Sequence, residues 1–404
     1  MDQYPSKIIS KSRDSFFGIS NDITYNEYAG EVLSVYILLN FLNAMIHVFT
    51  DETNSSNLLI IVFGLFFICF VFIRSKFFGI ILRRFILSLI PCLLVFGIAF
   101  FWGHDSFSDL FSRLFWFLFF CLPLFSVFLD VDDTVVVLNR TKPVVYICSF
   151  LTAAVMVALF ASGSYKRGNY NMGFGYAMVY STLYSFYLLN MEIKPINVFI
   201  CITNIFAILT IGSRGPVLCI VVFLLLFVFF HKSEITKNYA FFLLFVIVGL
   251  ILIVFGLKLI LSLLISVLGK FGIYSRTLSY FLERPTYTGR EVVWASAIKR
   301  IIEQPLLGWG IGVDTSLEGF YPHQLFLELL LHFGIPIGGF LSVVVLSLTI
   351  KTIFVSRKNE VLSMIMFSYG FIPLMLSSEY LVWPSFWAFL ALCIKRSTIK
   401  KAGE

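Results

Sequence analysis

Charge is scarce in this chain. Asp, Glu, Lys and Arg make up 13% of its 404 residues, about half the share of an ordinary soluble domain, while hydrophobic residues reach 59% and mean hydropathy +0.92. So few charges cannot cover a water-facing surface, which excludes a soluble globular fold. Period-two alternation is lacking too. The apolar runs are continuous and rich in Phe, Ile and Leu, which excludes a transmembrane β-barrel. No cysteines form a Cys-x-x-Cys pair or stand near a histidine. Cys69, Cys92, Cys121, Cys148, Cys201, Cys219 and Cys393 fall in apolar runs and read as small buried hydrophobes, giving neither a disulfide framework nor a metal site. The segment up to Gly30 carries Lys7, Lys11 and Arg13 without an apolar core, so no cleavable signal is expected and the first span is itself the insertion signal. There is no internal repeat. The net charge of +7 follows topology and does not read as nucleic-acid binding.

What the chain has instead is a succession of apolar runs of membrane-spanning length. They predict an all-α polytopic membrane protein of about 12 transmembrane helices, at 31–49, 57–73, 85–102, 114–129, 143–161, 172–189, 196–212, 215–230, 239–257, 335–355, 361–376 and 381–394. The expected organisation is a cytoplasmic segment (1–30), helices 1–9 (31–257), a large extracytoplasmic helical loop (258–334), and helices 10–12 with a cytoplasmic tail (335–404). With the N-terminus inside, 19 of the 30 basic residues lie on inner segments, and the short outer loops hold only Arg113, Lys166, Arg167 and Arg214. That asymmetry fixes the orientation. Residues 239–268 form an apolar run of 30, longer than one span needs, so Leu257 to Leu268 are expected as a separate helix at the interface or re-entering the membrane.

The polar residues gather on the outer face, above all between Thr286 and Gly334. Thr288 and Glu291 have capping-box spacing, predicting a helix from Thr288 toward Pro305 with Arg290 in its first turn. A guanidinium beside free helix-start N–H groups favours a bound anion. After the turn Pro305-Leu306-Leu307-Gly308-Trp309-Gly310-Ile311-Gly312, Tyr321-Pro322-His323 opens a second, amphipathic helix whose apolar face is Leu325, Phe326, Leu329, Leu330 and Phe333. An imidazole here can accept a proton from an attacking hydroxyl or hydrogen-bond an oxyanion; a lone histidine is more often structural. Asp314, Glu318, Glu328 and Glu379 are bases or solvated carboxylates. Arg214, in Gly212-Ser213-Arg214-Gly215-Pro216, is either a snorkelling interfacial arginine or an anion ligand. Lys166 and Arg167 run against the positive-inside trend, which suits an anionic ligand or lipid headgroups. Tyr287, Trp294, Trp309, Phe320 and Tyr321 fit an interfacial aromatic belt, although such rings also stack on sugars.

Taken in order, Gly-Ser-Arg-Gly at 212–215, Thr-Gly-Arg at 288–290 with Trp294, the Pro-Leu-Leu-Gly-Trp-Gly-Ile-Gly turn and Pro-His-Gln-x-Phe-Leu-Glu-Leu-Leu-x-x-Phe-Gly at 322–334 resemble the O-antigen ligase and O-antigen polymerase superfamily of bacterial surface-polysaccharide enzymes. The resemblance is specific over about 205–340 and topological elsewhere. It implies a metal-independent glycosyltransferase without a cofactor, working at the periplasmic face of the inner membrane on an undecaprenyl-pyrophosphate-linked oligosaccharide among membrane lipids. By the same resemblance, Arg214 and Arg290 match the pyrophosphate-contacting arginines and His323 the loop histidine. Gln324 stands where asparagine is common, and Arg167-Gly168-Asn169-Tyr170-Asn171 lacks the proline of the polymerases' Asn-Pro-Asn segment. The expected site is His323, Arg290 and Arg214 as catalytic residues, with Arg167, Lys166, Tyr287, Trp294 and Gln324 binding substrate. The amphipathic helix at 324–333 and the Phe-rich spans are expected to admit the lipid tail. The expected activity is a polymerase joining lipid-linked repeat units, aided by a chain-length regulator. The alternatives are a ligase transferring glycan to a lipid A core and, from another class, a lipid-linked glycan flippase. The absence of a two-fold repeat and of midplane charge argues against transport.

Overall fold

The computed structural model describes residues 23–49, 53–73, 75–102, 107–161, 171–210, 214–231, 240, 243–244, 246–249, 258–273, 275, 278–279, 282, 290–313, 322–355 and 360–399. All of the regular structure among them is helical. The chain runs α1 (Tyr25–Phe49), α2 (Thr53–Phe72), α3 (Ser75–Trp102), α4 (Phe107–Trp116), a π-helical turn (Phe117–Cys121), α5 (Leu122–Phe128), α6 (Thr134–Ala161), α7 (Met172–Met191), α8 (Pro195–Thr210) and α9 (Arg214–Phe230). It continues with α10 (Lys258–Lys270), α11 (Arg290–Glu303), α12 (Leu325–Ile350), α13 (Val361–Met366) and α14 (Pro384–Ile399). A π-helical turn (Phe367–Phe371) and a 3₁₀ turn (Ile372–Met375) follow α13, and a short 3₁₀ turn (Tyr380–Val382) precedes α14.

Five helices, at Tyr25–Phe49, Lys76–Ile98, Leu110–Phe128, Thr134–Ala161 and Leu325–Val355, are long and apolar enough to cross a membrane, with shorter apolar helices at Leu59–Phe72, Pro195–Thr210, Arg214–Phe230 and Val361–Met375. By length and composition the described residues thus supply 5 such spans against the 12 expected. The shortfall has a physical cause at α7, which is buried along most of its length and carries Tyr176, Tyr180, Ser181, Thr182, Tyr184 and Ser185 inside. A helix ringed by protein need not be apolar, provided its hydroxyls find partners. Tyr180 exchanges a hydrogen bond with Thr141 of α6 at 2.8 Å. The expected ninth span, 239–257, lies largely outside the described residues. The separate helix expected after it is present as α10.

Burial corrects the cysteine reading in one place. Six of the seven cysteines are buried, but Cys69 is exposed, because α2 turns Val62, Leu65, Phe66 and Cys69 outward as its lipid-side face.

The two ends of the bundle differ in chemistry. At one end, Glu31 pairs with Arg140 at 2.6 Å, Arg84 with Asp130, Lys395 with Asp132 at 2.8 Å, and Arg396 with Glu360. Apart from Glu31, the first residue of the expected first span, these are residues of the expected inner segments, and carboxylates of the same chain hold many of their cations. α14 runs from this end to the other, where the segment 376–383 leads into it at Pro384. That second end carries the candidate site.

Candidate active site

His323 is the one non-glycine described residue with positive φ, at 53°. Backbone of this kind is strained for an L-residue and is retained where the surroundings fix it. Two contacts do so. The Trp294 indole of α11 donates to the Pro322 carbonyl at 2.8 Å, and Gln324 caps α12, its side-chain oxygen accepting from the Leu327 amide at 2.6 Å. Both residues were expected to bind substrate; the structure gives each a supporting task beside the histidine.

The imidazole is half-buried, and burial lowers its pKa from the ordinary value. The nearby Arg290 cation lowers it further, while an imidazole N–H donated to the Ser377 main-chain carbonyl acts in the opposite direction. The net effect is a lowered pKa, which favours the neutral imidazole, the form able to accept a proton. Arg290 is the first residue of α11, where unsatisfied N–H groups cluster.

Ser377 links this half of the site to the other. The Ser377 hydroxyl is hydrogen-bonded to that of Tyr176 on α7. Tyr176 in turn presses on Gly215, where a Cβ would stand 1.8 Å from the tyrosine oxygen. Any side chain directly after Arg214 would therefore have to displace the Tyr176 hydroxyl. The half-buried Arg214 begins α9 and is thus tied through Gly215, Tyr176 and Ser377 to His323 and Arg290. Lys166, Arg167 and Tyr287 lie outside the described residues, as does the capping residue Thr288. α7, which follows Lys166 and Arg167 in the sequence, starts one turn from Tyr176 and is capped by Asn171, whose side chain accepts from the Phe174 amide at 2.8 Å.

The Gly-rich turn has a definite mechanical role. α12 breaks at Gly334 (φ 71°, ψ 176°), and Pro336 has no N–H to offer, so carbonyls near the break lose their helical partners. The turn after α11 supplies replacements: Trp309 N–H bonds the Leu331 carbonyl at 2.8 Å, Gly310 N–H that of His332 at 3.0 Å, and Ile335 N–H reaches the Pro305 carbonyl at 2.7 Å. The two backbones touch, since a Cβ on Gly308 would lie 2.4 Å from Gly334 N. Trp309 then closes the unit by donating to the Arg300 carbonyl at 2.7 Å with the Arg300 guanidinium over its ring. Ala297, Ile301, Val313 and Leu331 form the core between α11 and the first half of α12. Gly308→Ala, strained at φ 69° and in collision with Gly334, is expected to cost more than about 2 kcal/mol. A fall in detergent-solubilised Tm would register it, with Gly339→Ala, whose Cβ meets only a leucine side-chain tip at 4.0 Å, as the unaffected comparison.

Two carboxylates differ from their reading, and three polar groups were missed. Glu328, read as a base or a solvated carboxylate, is wholly buried one turn before His332. His332, given no role from the sequence, bonds Tyr380 through Nδ1 at 3.1 Å. Glu379, read as a base or a solvated carboxylate, is buried against Arg113 of α4, Nε to Oε1 2.8 Å. Tyr176 and Ser377 carried no motif signal.

The fold is that of a helical membrane protein, with Arg290 beside His323 and the start of α9 joined to them through Tyr176 and Ser377. Residues 199–342, which include Arg214, Arg290 and His323, match the family model described as O-Antigen ligase, consistent with the O-antigen ligase and polymerase superfamily that the motifs resemble. No curated protein and no solved structure matches the chain.

Proposed function

We propose that the chain is a glycosyltransferase that takes its glycan from a polyprenyl-pyrophosphate carrier at the extracytoplasmic face of the inner membrane, and that it polymerises repeat units. The observation that carries the reading is the convergence on Ser377 of His323, held beside Arg290, and of the Arg214 turn through Tyr176. An acceptor sugar hydroxyl attacks the anomeric carbon of the donor and passes its proton to His323. As the new C–O bond forms, the bond from the anomeric carbon to the pyrophosphate oxygen breaks, and its electron pair leaves on that oxygen. Negative charge grows there in the transition state, so cations already in place stabilise it more than the ground state. Arg214→Ala or Arg290→Ala is expected to lower the rate about a hundredfold, or ~3 kcal/mol.

Incubating the purified protein with its own lipid-linked repeat unit in detergent, without a gradient, and sizing the product tests both levels. A ladder of longer glycans supports polymerisation, and no transfer under any condition rejects the transferase reading in favour of a flippase. The description of the matched family favours a second reading, ligase. In lipopolysaccharide from a deletion strain, a single repeat still attached to the core supports the polymerase, and a bare core supports the ligase. Among partners, the lipid-linked glycan follows from the family match, whereas a chain-length regulator rests on the polymerase reading alone.

A further inference from the structure

The lipid tail was expected to enter along the amphipathic helix at 324–333, but that face is turned into the protein: Leu325 and Leu329 are buried, and Phe326, Leu330 and Phe333 are partly buried against the core. The apolar surface left open lies on α11 and the turn after it. Beyond the first turn of α11, in which the exposed Glu291 and Val292 fall in the sectors of opposite character, three sectors separate at about 100° per residue. Ala297 and Ile301 face the local core. Ala295, Ile298 and Ile302 occupy a second, exposed sector, and Lys299 and Glu303 a third, also exposed. Ile302 and Leu306 are each 70% exposed and Leu307 66%, beside Ile335 and Ile337 at 52% each.

Those last two residues decide what covers the patch. They begin the part of α12 that continues as an apolar span, and Phe340, Val343 and Leu346 beyond them are exposed as lipid-facing residues of that span. The turn is fixed to this point of the span by the Ile335 amide to Pro305 carbonyl bond of 2.7 Å and by the contact of Gly334 with Leu306. The patch is therefore an unbroken extension of the span's lipid surface, and its charged sector points away from it as on an interfacial helix.

We infer that α11 is an interfacial helix, with Ile298, Ile302, Leu306 and Leu307 inserted among the lipids of the leaflet that borders the site. This holds Arg290 at headgroup depth, where the phosphates of any lipid-borne anion lie. The inference concerns the bilayer as partner and does not depend on which reaction the site performs.

The test is site-directed spin labelling of full-length protein in phosphatidylethanolamine–phosphatidylglycerol vesicles. Cys69, the exposed native thiol, is first replaced by Ala; single labels are then placed at Ile302, Leu307, Lys299 and Glu303. Labels at 302 and 307 are expected to collide more often with oxygen than with a water-soluble nickel chelate, and labels at 299 and 303 the reverse. Equal nickel access at all four positions would mean that α11 stands clear in water, and protection of 302 and 307 from both reagents would mean that protein covers them. Either result overturns the inference. A loss of glycosyl transfer without change in these accessibilities would bear on the reaction alone.

Discussion

His323→Ala is expected to lower glycosyl transfer by roughly two to four orders of magnitude, the usual contribution of a positioned general base, with little change in KM. The pH profile carries more information than the loss itself. In the wild type, burial and the Arg290 cation hold the imidazole pKa below its ordinary value, so the base stays neutral and the acidic limb of kcat/KM falls only at mildly acid pH. Arg290→Gln removes a cation that disfavours protonation, so the His323 pKa rises and the acidic limb moves to higher pH, whatever the plateau loses. A limb that stays in place in Arg290→Gln would show that the two groups are not coupled, and wild-type turnover in His323→Ala would move the proton acceptor elsewhere. The positive φ supplies an independent check. His323→Gly is expected to raise Tm by relieving about 1 kcal/mol of backbone strain while losing activity, which distinguishes a strained functional residue from a packing one.

How much of this was readable beforehand depends on where the information sits. Helix positions were legible because apolar runs are local, and α9, α10 and the bend near Gly334 fall close to where composition and Gly-Pro breaks put them. The pairing of Arg290 with His323 was legible only as two motifs on one predicted face. What joins them is not written locally: Tyr176 and Ser377 are 201 positions apart and neither stands in a motif. Yet a signal for the buried ion pair existed. Arg113 violates the positive-inside trend and Glu379 is an isolated carboxylate between two spans on the same predicted face. Opposite charges stranded at one level of a membrane bundle are expected to find each other, because neither can stay unpaired away from water. Reading them separately, one as a topological exception and the other as a base or solvated group, hid the pair. α12 was legible in two halves, while the inward turn of its first half was not. An amphipathic pattern gives the apolar face of a helix without saying whether lipid or protein covers it.

Arg113→Ala is the substitution expected to cost most in stability. It removes the Arg113 guanidinium from the buried Glu379 carboxylate, and breaking a buried pair from one side typically costs about 3–5 kcal/mol. The pair sits where α4 meets the 376–383 segment, next to Tyr380, which His332 holds from α12. That segment presents the Ser377 carbonyl to His323 and the Ser377 hydroxyl to Tyr176, so its loosening reaches the site. In Arg113→Gln paired with Glu379→Gln neither charge is left buried alone, and Tm is expected to recover to within about 1 kcal/mol of wild type. Activity then separates a structural role from a positioning one. If the ion pair only stabilises, the double variant regains kcat with its Tm. If it also fixes the Ser377 carbonyl, kcat stays low at restored Tm, and the acidic limb moves to lower pH, because an imidazole deprived of that acceptor binds its proton less tightly. This displacement is opposite in sign to that of Arg290→Gln, so the two variants together report the two forces that set the charge of the same histidine.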